Sequence, residues 1–226
     1  MIRFVPLVMS LALAIALPTS ARAQSGGAQV GPNATAALTP KLLGDALSCR
    51  SRDAVEAFAE ALFLDQQPPA WMHEAKDDKD TEGMLGLYGY TLAKPTSLLG
   101  QRVERVYFMN DWIVTLWPRK MAEAFVTAHA MKRAPIAVTE QYYSFIDHES
   151  GPMLGAFAPT GNAIAAMMAK AFGEKAPPSP PADRLFVGCN YTPASEAEFL
   201  EAARRSTAMA EDASRDVVRA IAPPSS

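Results

Sequence analysis

The sequence predicts an α+β fold, in which helices pack on a mixed, largely antiparallel sheet of about six strands and one disulfide links distant parts of the chain. Segments rich in β-branched and aromatic residues are typical of strands, and neighbouring segments of this kind are joined by turn residues. Segments with apolar residues at helical spacing lie between and after them. About 200 residues are enough for one sizeable core, so we expect a single domain over 39–226.

The best-defined element is a β-hairpin between Arg102 and Trp117. Asn110 and Asp111 separate its two strand-like flanks, and these residue types tolerate the positive φ angles that a two-residue turn requires. Both faces of the hairpin are apolar next to the turn, which predicts a central hairpin that is covered on both sides. The register this turn imposes pairs Met109 with Trp112, Phe108 with Ile113 and Tyr107 with Val114.

Capping and breaking residues predict the elements before the hairpin. Thr39 and Ser51 are typical N-cap residues, and each precedes a short segment with one apolar face, so two short helices are expected. Apolar residues alternate with glycines over 84–92, which indicates a strand. We expect Pro95 to end this strand, because proline cannot donate a hydrogen bond to the ladder.

Helices and strands alternate in the second half of the chain. Ser195 and Glu198 have the spacing of a capping box, which starts a long terminal helix. The Pro-rich segment 174–183 connects the elements before it to the last strand. The other predicted elements are a helix between Pro118 and Arg133, a second hairpin formed by 136–147 and 153–157, a helix over 159–172 and a strand over 184–191.

Residues 1–23 have the parts of a secretory signal, which are a basic start, an apolar run and the small-residue exit Ala21-Arg22-Ala23. We expect cleavage after Ala23 and a flexible leader over 24–38. The apolar run is too short to hold a spanning helix, and no later stretch approaches the length that a bilayer needs. The sequence therefore predicts a periplasmic or secreted protein without a membrane span.

The charge of the mature chain argues against a nucleic-acid partner. The sequence has 21 basic and 24 acidic residues, and two of the basic ones, Arg3 and Arg22, fall in the signal. The mature chain then carries a formal charge of −5 and has no basic cluster. Nucleic acids and anionic membrane surfaces attract proteins of the opposite charge, so neither is an expected partner.

Both cysteines, Cys49 and Cys189, lie in the exported part of the chain. Two thiols in an oxidising compartment have one intramolecular pairing, which predicts a disulfide between the first helical region and the last strand. A metal site or a reactive thiol is the alternative. Neither has the spacing or the neighbouring histidine that such sites use, so no metal and no cofactor is expected.

The longest polar and irregular stretch is Asp65–Glu82. Long loops inside domains are often functional, and Trp71 within it is either a ligand-binding residue or an anchor that holds the loop on the core. The acidic run 77–80 lacks the glycine and the terminal glutamate of an EF-hand loop. We expect it to be a solvated charge run.

The densest set of groups for acid–base chemistry is Asp147-His148-Glu149, followed by Ser150. A carboxylate beside an imidazole can fix its tautomer and raise its pKa. Adjacent loop residues point in different directions, however, and a catalytic site needs groups from separate segments. His73 would have to fold over this loop to complete a mixed histidine and carboxylate site. A polar, solvated turn is the alternative.

No hydrolase, nucleotide-binding or zinc-protease motif occurs in the chain. The sequence therefore favours a non-catalytic, exported binding or envelope-associated protein, whose partner is another protein, a cell-wall component or an apolar small molecule. A cleft lined by Trp71, Trp112 and Trp117 is the expected binding surface. The alternative is a hydrolase, which would be metal-dependent if His73 joins His148 and its neighbouring carboxylates.

Overall fold

A computed structural model describes residues 37–221, apart from 77, 83, 85, 138, 161–171, 174 and 176–179. All of the described residues belong to one unit, Ala36–Ser226. The predicted signal 1–23, the predicted leader up to residue 36 and most of the predicted helix 159–172 lie outside the described residues.

The described strands form one 8-stranded sheet with the order β1-β2-β3-β4-β8-β7-β6-β5, and every neighbouring pair is antiparallel. Helices pack on this sheet, so the predicted α+β class is confirmed. The strands are β1 (Met72–Glu74), β2 (Tyr88–Leu98), β3 (Gln101–Met109), β4 (Trp112–Pro118), β5 (Lys132–Arg133), β6 (Gln141–Phe145), β7 (Met153–Phe157) and β8 (Arg184–Asn190).

Four α-helices lie in the described part of the chain: α1 (Pro40–Leu47), α2 (Arg52–Ala59), α3 (Arg119–Ala128) and α4 (Glu196–Ile221). The side-chain oxygens of Thr39 and Ser51 accept hydrogen bonds from the first turns of α1 and α2, as predicted. The capping box of α4 is also present. The backbone N–H of Ser195 donates to the Glu198 carboxylate at 2.8 Å, and the N–H of Glu198 donates to the Ser195 hydroxyl at 3.2 Å.

The sheet has two more strands than predicted, because its edge strands are very short. Strand β1 has 3 residues and β5 has 2, which is too few for an alternating pattern to be visible in the sequence. The prediction that Pro95 ends a strand is wrong. Strand β2 continues to Leu98, and a shift of register between Thr91 and Thr96 accommodates the proline as a bulge.

The central hairpin has the predicted register. Strands β3 and β4 pair Tyr107 with Val114, Phe108 with Ile113 and Met109 with Trp112. Asn110 adopts the positive φ angle that the turn requires, at 49°. Residues of opposite parity in β4 point to opposite faces of the sheet, and both faces are covered in the described structure, since Ile113 and Val114 are fully buried.

One face of the sheet carries the larger core, and we call it the helix-side face. Helices α1, α2 and α3 pack here, and their apolar residues meet those of the central strands. The predicted disulfide is confirmed, since Cys49 after α1 is bonded to Cys189 in β8 across a sequence separation of 140. The apolar residues of the core on the helix-side face include Leu43, Phe58, Val106, Ile113, Trp117, Phe125 and Val187.

The opposite face, which we call the groove-side face, has smaller apolar clusters. Tyr107, Val114 and Phe186 form one of them near the middle of the sheet. The second lies under the first turns of α4, where Phe199 packs against Tyr143 and Phe145 with ring centroids 4.9 and 5.8 Å apart. Helix α4 therefore lies over β6 and β7 on this face.

Candidate functional site

The three tryptophans that the sequence suggested as one binding surface do not come together. Trp71 belongs to the helix-side core, where its Nε1 donates to the carbonyl of Leu38 at 3.2 Å. Trp117 is 5% exposed in the same core and packs edge-on against Phe125. Trp112 lies on the groove-side face, because five positions along a strand reverse the direction of the side chain. The predicted three-tryptophan cleft is not formed by the described residues.

Trp112 instead lies across the groove-side face over β7. Its ring is 4.8 Å from that of Phe157, and it covers Gly155 so closely that a Cβ atom there would overlap the ring. Gly155 pairs with Gly188 of β8, which also carries no side chain. The absence of a side chain at Gly155 leaves room for the Trp112 ring to lie against the backbone of the sheet.

A groove of about 500 Å³ runs between this ring and α4, and we call it the Trp112 groove. Its floor and walls are mostly apolar, and Phe145 and Met153 within them are buried. Five further lining residues are polar or charged: Gln141, Asn190, Thr192, Glu198 and Arg205. The apolar lining is formed by Trp112, Phe145, Met153, Pro193, Ala194, Phe199 and Ala202.

Hydrogen bonds to the segments before and after β6 fix α4 as one wall of the groove. The hydroxyl of Thr207 donates to the carbonyl of Pro135 at 3.1 Å and accepts from the backbone N–H of Ala137 at 3.0 Å. At the start of α4, the backbone N–H of Glu196 donates to the carbonyl of His148 at 2.8 Å. The helix is therefore held to the chain at two places that are three turns apart.

The turn of the central hairpin fixes the opposite wall. The backbone N–H of Tyr191 donates to the carbonyl of Asp111 at 2.8 Å, and the hydroxyl of Thr192 donates to the Asp111 carboxylate at 3.0 Å. The N–H of Thr192 also donates to the side-chain oxygen of Asn190 at 2.8 Å. These bonds connect the segment that leads into α4 to the residue before Trp112, so the ring and the helix are positioned together.

His148 lies beside this groove, and its partner is a residue that the sequence did not suggest. Its Nδ1 is 2.5 Å from a carboxylate oxygen of Glu196, and the other oxygen of Glu196 accepts from Lys132 at 2.8 Å. The hydrogen bonds from Lys132 and His148 lower the pKa of Glu196 to about 2. The His148 side chain is 66% exposed, so the cluster lies at the surface and not in the groove.

The Asp147 carboxylate, next to His148 in sequence, makes its hydrogen bonds within the loop. The Asp147 carboxylate accepts hydrogen bonds from the backbone N–H of Glu149 at 2.9 Å and from the hydroxyl of Ser150 at 2.7 Å, which closes a local turn. His73 is in β1, and five strands of the sheet lie between β1 and β6. The described structure therefore does not bring His73 and His148 together.

The acidic run 77–80 contains a buried carboxylate, so its interpretation as a solvated charge run is wrong for Asp78. The Asp78 side chain is 5% exposed, accepts from the hydroxyl of Tyr107 at 2.5 Å and pairs with Arg105 at 2.8 Å. Burial opposes its ionisation, but the hydrogen bond from Tyr107 and the charge of Arg105 outweigh it, and the pKa of Asp78 lies below its usual value. This clasp holds the loop between β1 and β2 on the groove-side face.

The fold and this groove define an α+β protein with a two-faced antiparallel sheet. The chain matches no protein-family model, no curated protein and no solved structure with which it was compared. Within the described ranges, no three histidine, cysteine or acidic side chains are grouped so that they could hold a metal ion. None of the described helices is both long enough and apolar enough to cross a membrane.

Proposed function

We propose that this chain is an exported, non-catalytic binding protein that holds an apolar small molecule in the Trp112 groove. The observation that carries the proposal is the groove itself. Its volume of about 500 Å³ falls within the range of roughly 300–1,000 Å³ that is usual for small-molecule sites. Its lining is largely aromatic and aliphatic, with a few polar groups at the rim, which is the usual composition of such sites.

The construction of the groove supports a binding role over a packing defect. Gly155 makes space for the Trp112 ring, and hydrogen bonds at Thr207 and Glu196 hold α4 in place. A site whose walls are fixed before the ligand arrives loses less entropy on binding. Trp112 and Phe199 also supply large rigid surfaces for an apolar ligand.

The signal-like segment 1–23 and the disulfide support export. The Cys49–Cys189 bond is stable in an oxidising compartment, and disulfides are rare in the reducing cytosol. Mass spectrometry of the protein purified from cells checks the proposal directly. We expect a chain that begins at Gln24 in the periplasmic or culture fraction, and an intact chain that starts at Met1 in the cytosol would contradict it.

A hydrolase built on His148 is the second candidate, and one observation favours it. Glu196 comes from a distant segment and binds Nδ1 of His148, which leaves Nε2 available as a base. The dyad is exposed, however, and the hydroxyl of Ser150 is directed to Asp147. Ester hydrolysis that His148→Ala abolishes while the groove still binds its probe would replace the binding proposal with this one.

Binding to the groove is tested with N-phenyl-1-naphthylamine, an uncharged apolar probe whose fluorescence rises when it leaves water. We expect saturable binding by the mature, oxidised protein and energy transfer from tryptophan to the probe. Replacing Trp112 by phenylalanine should lower this transfer, because Trp112 is the tryptophan that lines the groove. An unchanged transfer signal would mean that the probe binds elsewhere.

A blocking variant and a matched control locate the bound probe. Ala202→Trp fills the groove from α4, and we expect the affinity for the probe to fall by about tenfold or more. Ala208→Trp adds the same ring to an exposed position of α4 that does not line the groove, and its affinity should equal that of the wild type. Equal affinities for all three proteins would overturn the proposed function.

A further inference from the structure

The rim of the Trp112 groove is charged at two positions of α4. Glu198 and Arg205 both line the groove and are seven residues apart, which is about two helical turns or roughly 10 Å along the axis. Ala202 lies between them and leaves the space above the aromatic floor open. The groove therefore has an anionic end and a cationic end with an apolar centre.

The two charges differ in how they are used within the protein. The Glu198 carboxylate accepts from both the backbone N–H and the hydroxyl of Ser195 at 2.8 Å, so it is committed to the cap of α4. These bonds lower the pKa of Glu198 below its usual value, and it stays ionised. A ligand that carried a negative charge would be repelled from this end of the groove.

Arg205 retains capacity for a ligand. Its Nη1 donates to a carboxylate oxygen of Glu201 at 2.7 Å, and both side chains are about two-thirds exposed, at 66% and 65%. An exposed pair of this kind, one turn apart on a helix, contributes little to stability. A guanidinium has five N–H donors in a planar fork, so a second carboxylate can bind to it beside Glu201 or in its place.

We propose that the ligand of the Trp112 groove is a single-chain amphipathic carboxylate, whose apolar chain lies on Trp112 and Phe199 and whose carboxylate binds Arg205. This inference rests on the proposed function and adds the chemical class and the orientation of the ligand. Charge complementarity selects it, because Glu198 is already used by the cap of α4, whereas Arg205 has N–H donors left for a carboxylate.

Displacement of the bound probe tests the inference with three compounds that share an eight-carbon chain: octanoate, 1-octanol and octyltrimethylammonium. We express the result as the preference for octanoate over octanol, so that differences in chain burial cancel. We expect octyltrimethylammonium to compete least. Arg205→Gln should lower the octanoate preference by about fivefold, the size expected for one exposed charge pair.

Two further variants separate this role of Arg205 from a general charge effect. Arg204→Gln removes the same charge from the neighbouring residue, which does not line the groove, and it should keep the wild-type preference. Glu201→Gln removes the intrahelical partner of Arg205 and should raise the preference for octanoate. A helix that merely lost stability would not bind octanoate more tightly.

The outcomes distinguish the two proposals. If the probe binds and Ala202→Trp blocks it, but Arg205→Gln and Arg204→Gln have the same octanoate preference, the carboxylate inference is overturned and the binding proposal stands. A stronger competition by octyltrimethylammonium than by octanoate would also overturn the inference. If Ala202→Trp leaves binding of the probe unchanged, the proposed function itself fails.

Discussion

The two faces of the sheet are stabilised in different ways. On the helix-side face, three helices bury a continuous apolar core, and a disulfide joins the turn after α1 to the central strand β8. On the groove-side face, the apolar clusters are small, and polar contacts hold the covering segments. Asp78 binds Tyr107 and Arg105 at one end, and Glu196 binds Lys132 and His148 at the other.

With the proposed function, this difference separates the groups that stabilise the protein from those that bind its ligand. Apolar burial and a covalent bond need no exposed groups, so the helix-side face can be filled completely. Charged contacts tolerate water and hold segments at fixed points, which leaves an open groove between Trp112 and α4. We therefore expect changes on the helix-side face to lower the free energy of unfolding, and changes at the groove to alter binding.

The largest effect is expected from removing the disulfide with the double substitution Cys49→Ala and Cys189→Ala. The bond closes a loop with a sequence separation of 140, and the chain-entropy model gives up to about 5 kcal/mol of stabilisation for a loop of this length. Urea unfolding should show the same loss of unfolding free energy, relative to the oxidised wild type, for the variant and for the reduced wild type. Equal stability of the oxidised and reduced proteins would contradict a role for the bond in holding this face together.

The two tryptophans of β4 provide the sharpest comparison. Trp117→Ala should lower the free energy of unfolding by about 3–5 kcal/mol, because a large buried side chain is removed. Binding of the probe by the folded variant should be unchanged. Trp112→Ala should cost less stability, because the ring is only partly buried, and should weaken binding of the probe by about tenfold.

Chemical unfolding and titration with N-phenyl-1-naphthylamine measure both quantities on the same samples. Trp117→Phe serves as a second variant if the alanine substitution prevents folding, since it retains a ring against Phe125. Equal losses of stability at the two positions, or loss of binding in the folded Trp117 variant alone, would contradict the separation of the two faces.

The polar clasp at Asp78 should have an intermediate effect. Asp78→Asn removes the charge that binds Arg105 and weakens the hydrogen bond from Tyr107, and we expect a loss of about 1–3 kcal/mol at pH 7. Because the pKa of Asp78 is lowered in the folded state, its contribution is present above the unfolded pKa and is lost as the pH falls through the folded pKa.

The difference in stability between wild type and Asp78→Asn should therefore shrink below about pH 4. Tyr107→Phe removes only the hydroxyl and should reproduce part of the loss at pH 7. Urea unfolding at several pH values measures both effects. A difference that stays constant down to pH 2 would mean that the charge of Asp78 does not stabilise the loop.

Local patterns predicted the parts of the fold that local geometry determines. The hairpin register follows from the Asn110-Asp111 turn, and the disulfide follows because the chain has two cysteines. The α4 cap follows from the spacing of Ser195 and Glu198. The hairpin and the cap depend on residues close in sequence, and the disulfide depends on the one intramolecular pairing that two cysteines allow.

The Trp112 groove, the Asp78 clasp and the Glu196 cluster depend on residues that are distant in sequence. Tyr107 and Asp78 are 29 positions apart, and His148 and Glu196 are 48 apart. Which of many charged residues becomes a partner is decided by how loops and α4 dock on the sheet. One sequence feature could have shown that Trp112 and Trp117 do not line the same cleft. Side chains alternate along a strand, which places positions 112 and 117 on opposite faces of the sheet.

The smallest effect is expected at Glu196, which is at the surface beside the groove. Lys132 and His148 lower its pKa from the ordinary value of 4.5 to about 2. A lowered folded-state pKa stabilises the protein above the unfolded pKa, and this stabilisation is lost as the pH falls from about 4.5 to about 2. Glu196→Gln should therefore lower the melting temperature slightly at neutral pH and leave it unchanged near pH 2.

Melting temperatures measured from pH 2 to 7 test this directly, with Glu149→Gln as the control that removes a carboxylate from the hairpin loop that carries His148. Tyr143 and Lys132 also contact Glu196, so the comparison uses the difference between each variant and the wild type at each pH. If Glu149→Gln changes the profile as much as Glu196→Gln does, the cluster does not hold the start of α4. If only Glu196→Gln changes the profile, a surface contact of small energy fixes one wall of the groove. Even the weakest interaction considered on the groove-side face is then a polar contact that holds a covering segment.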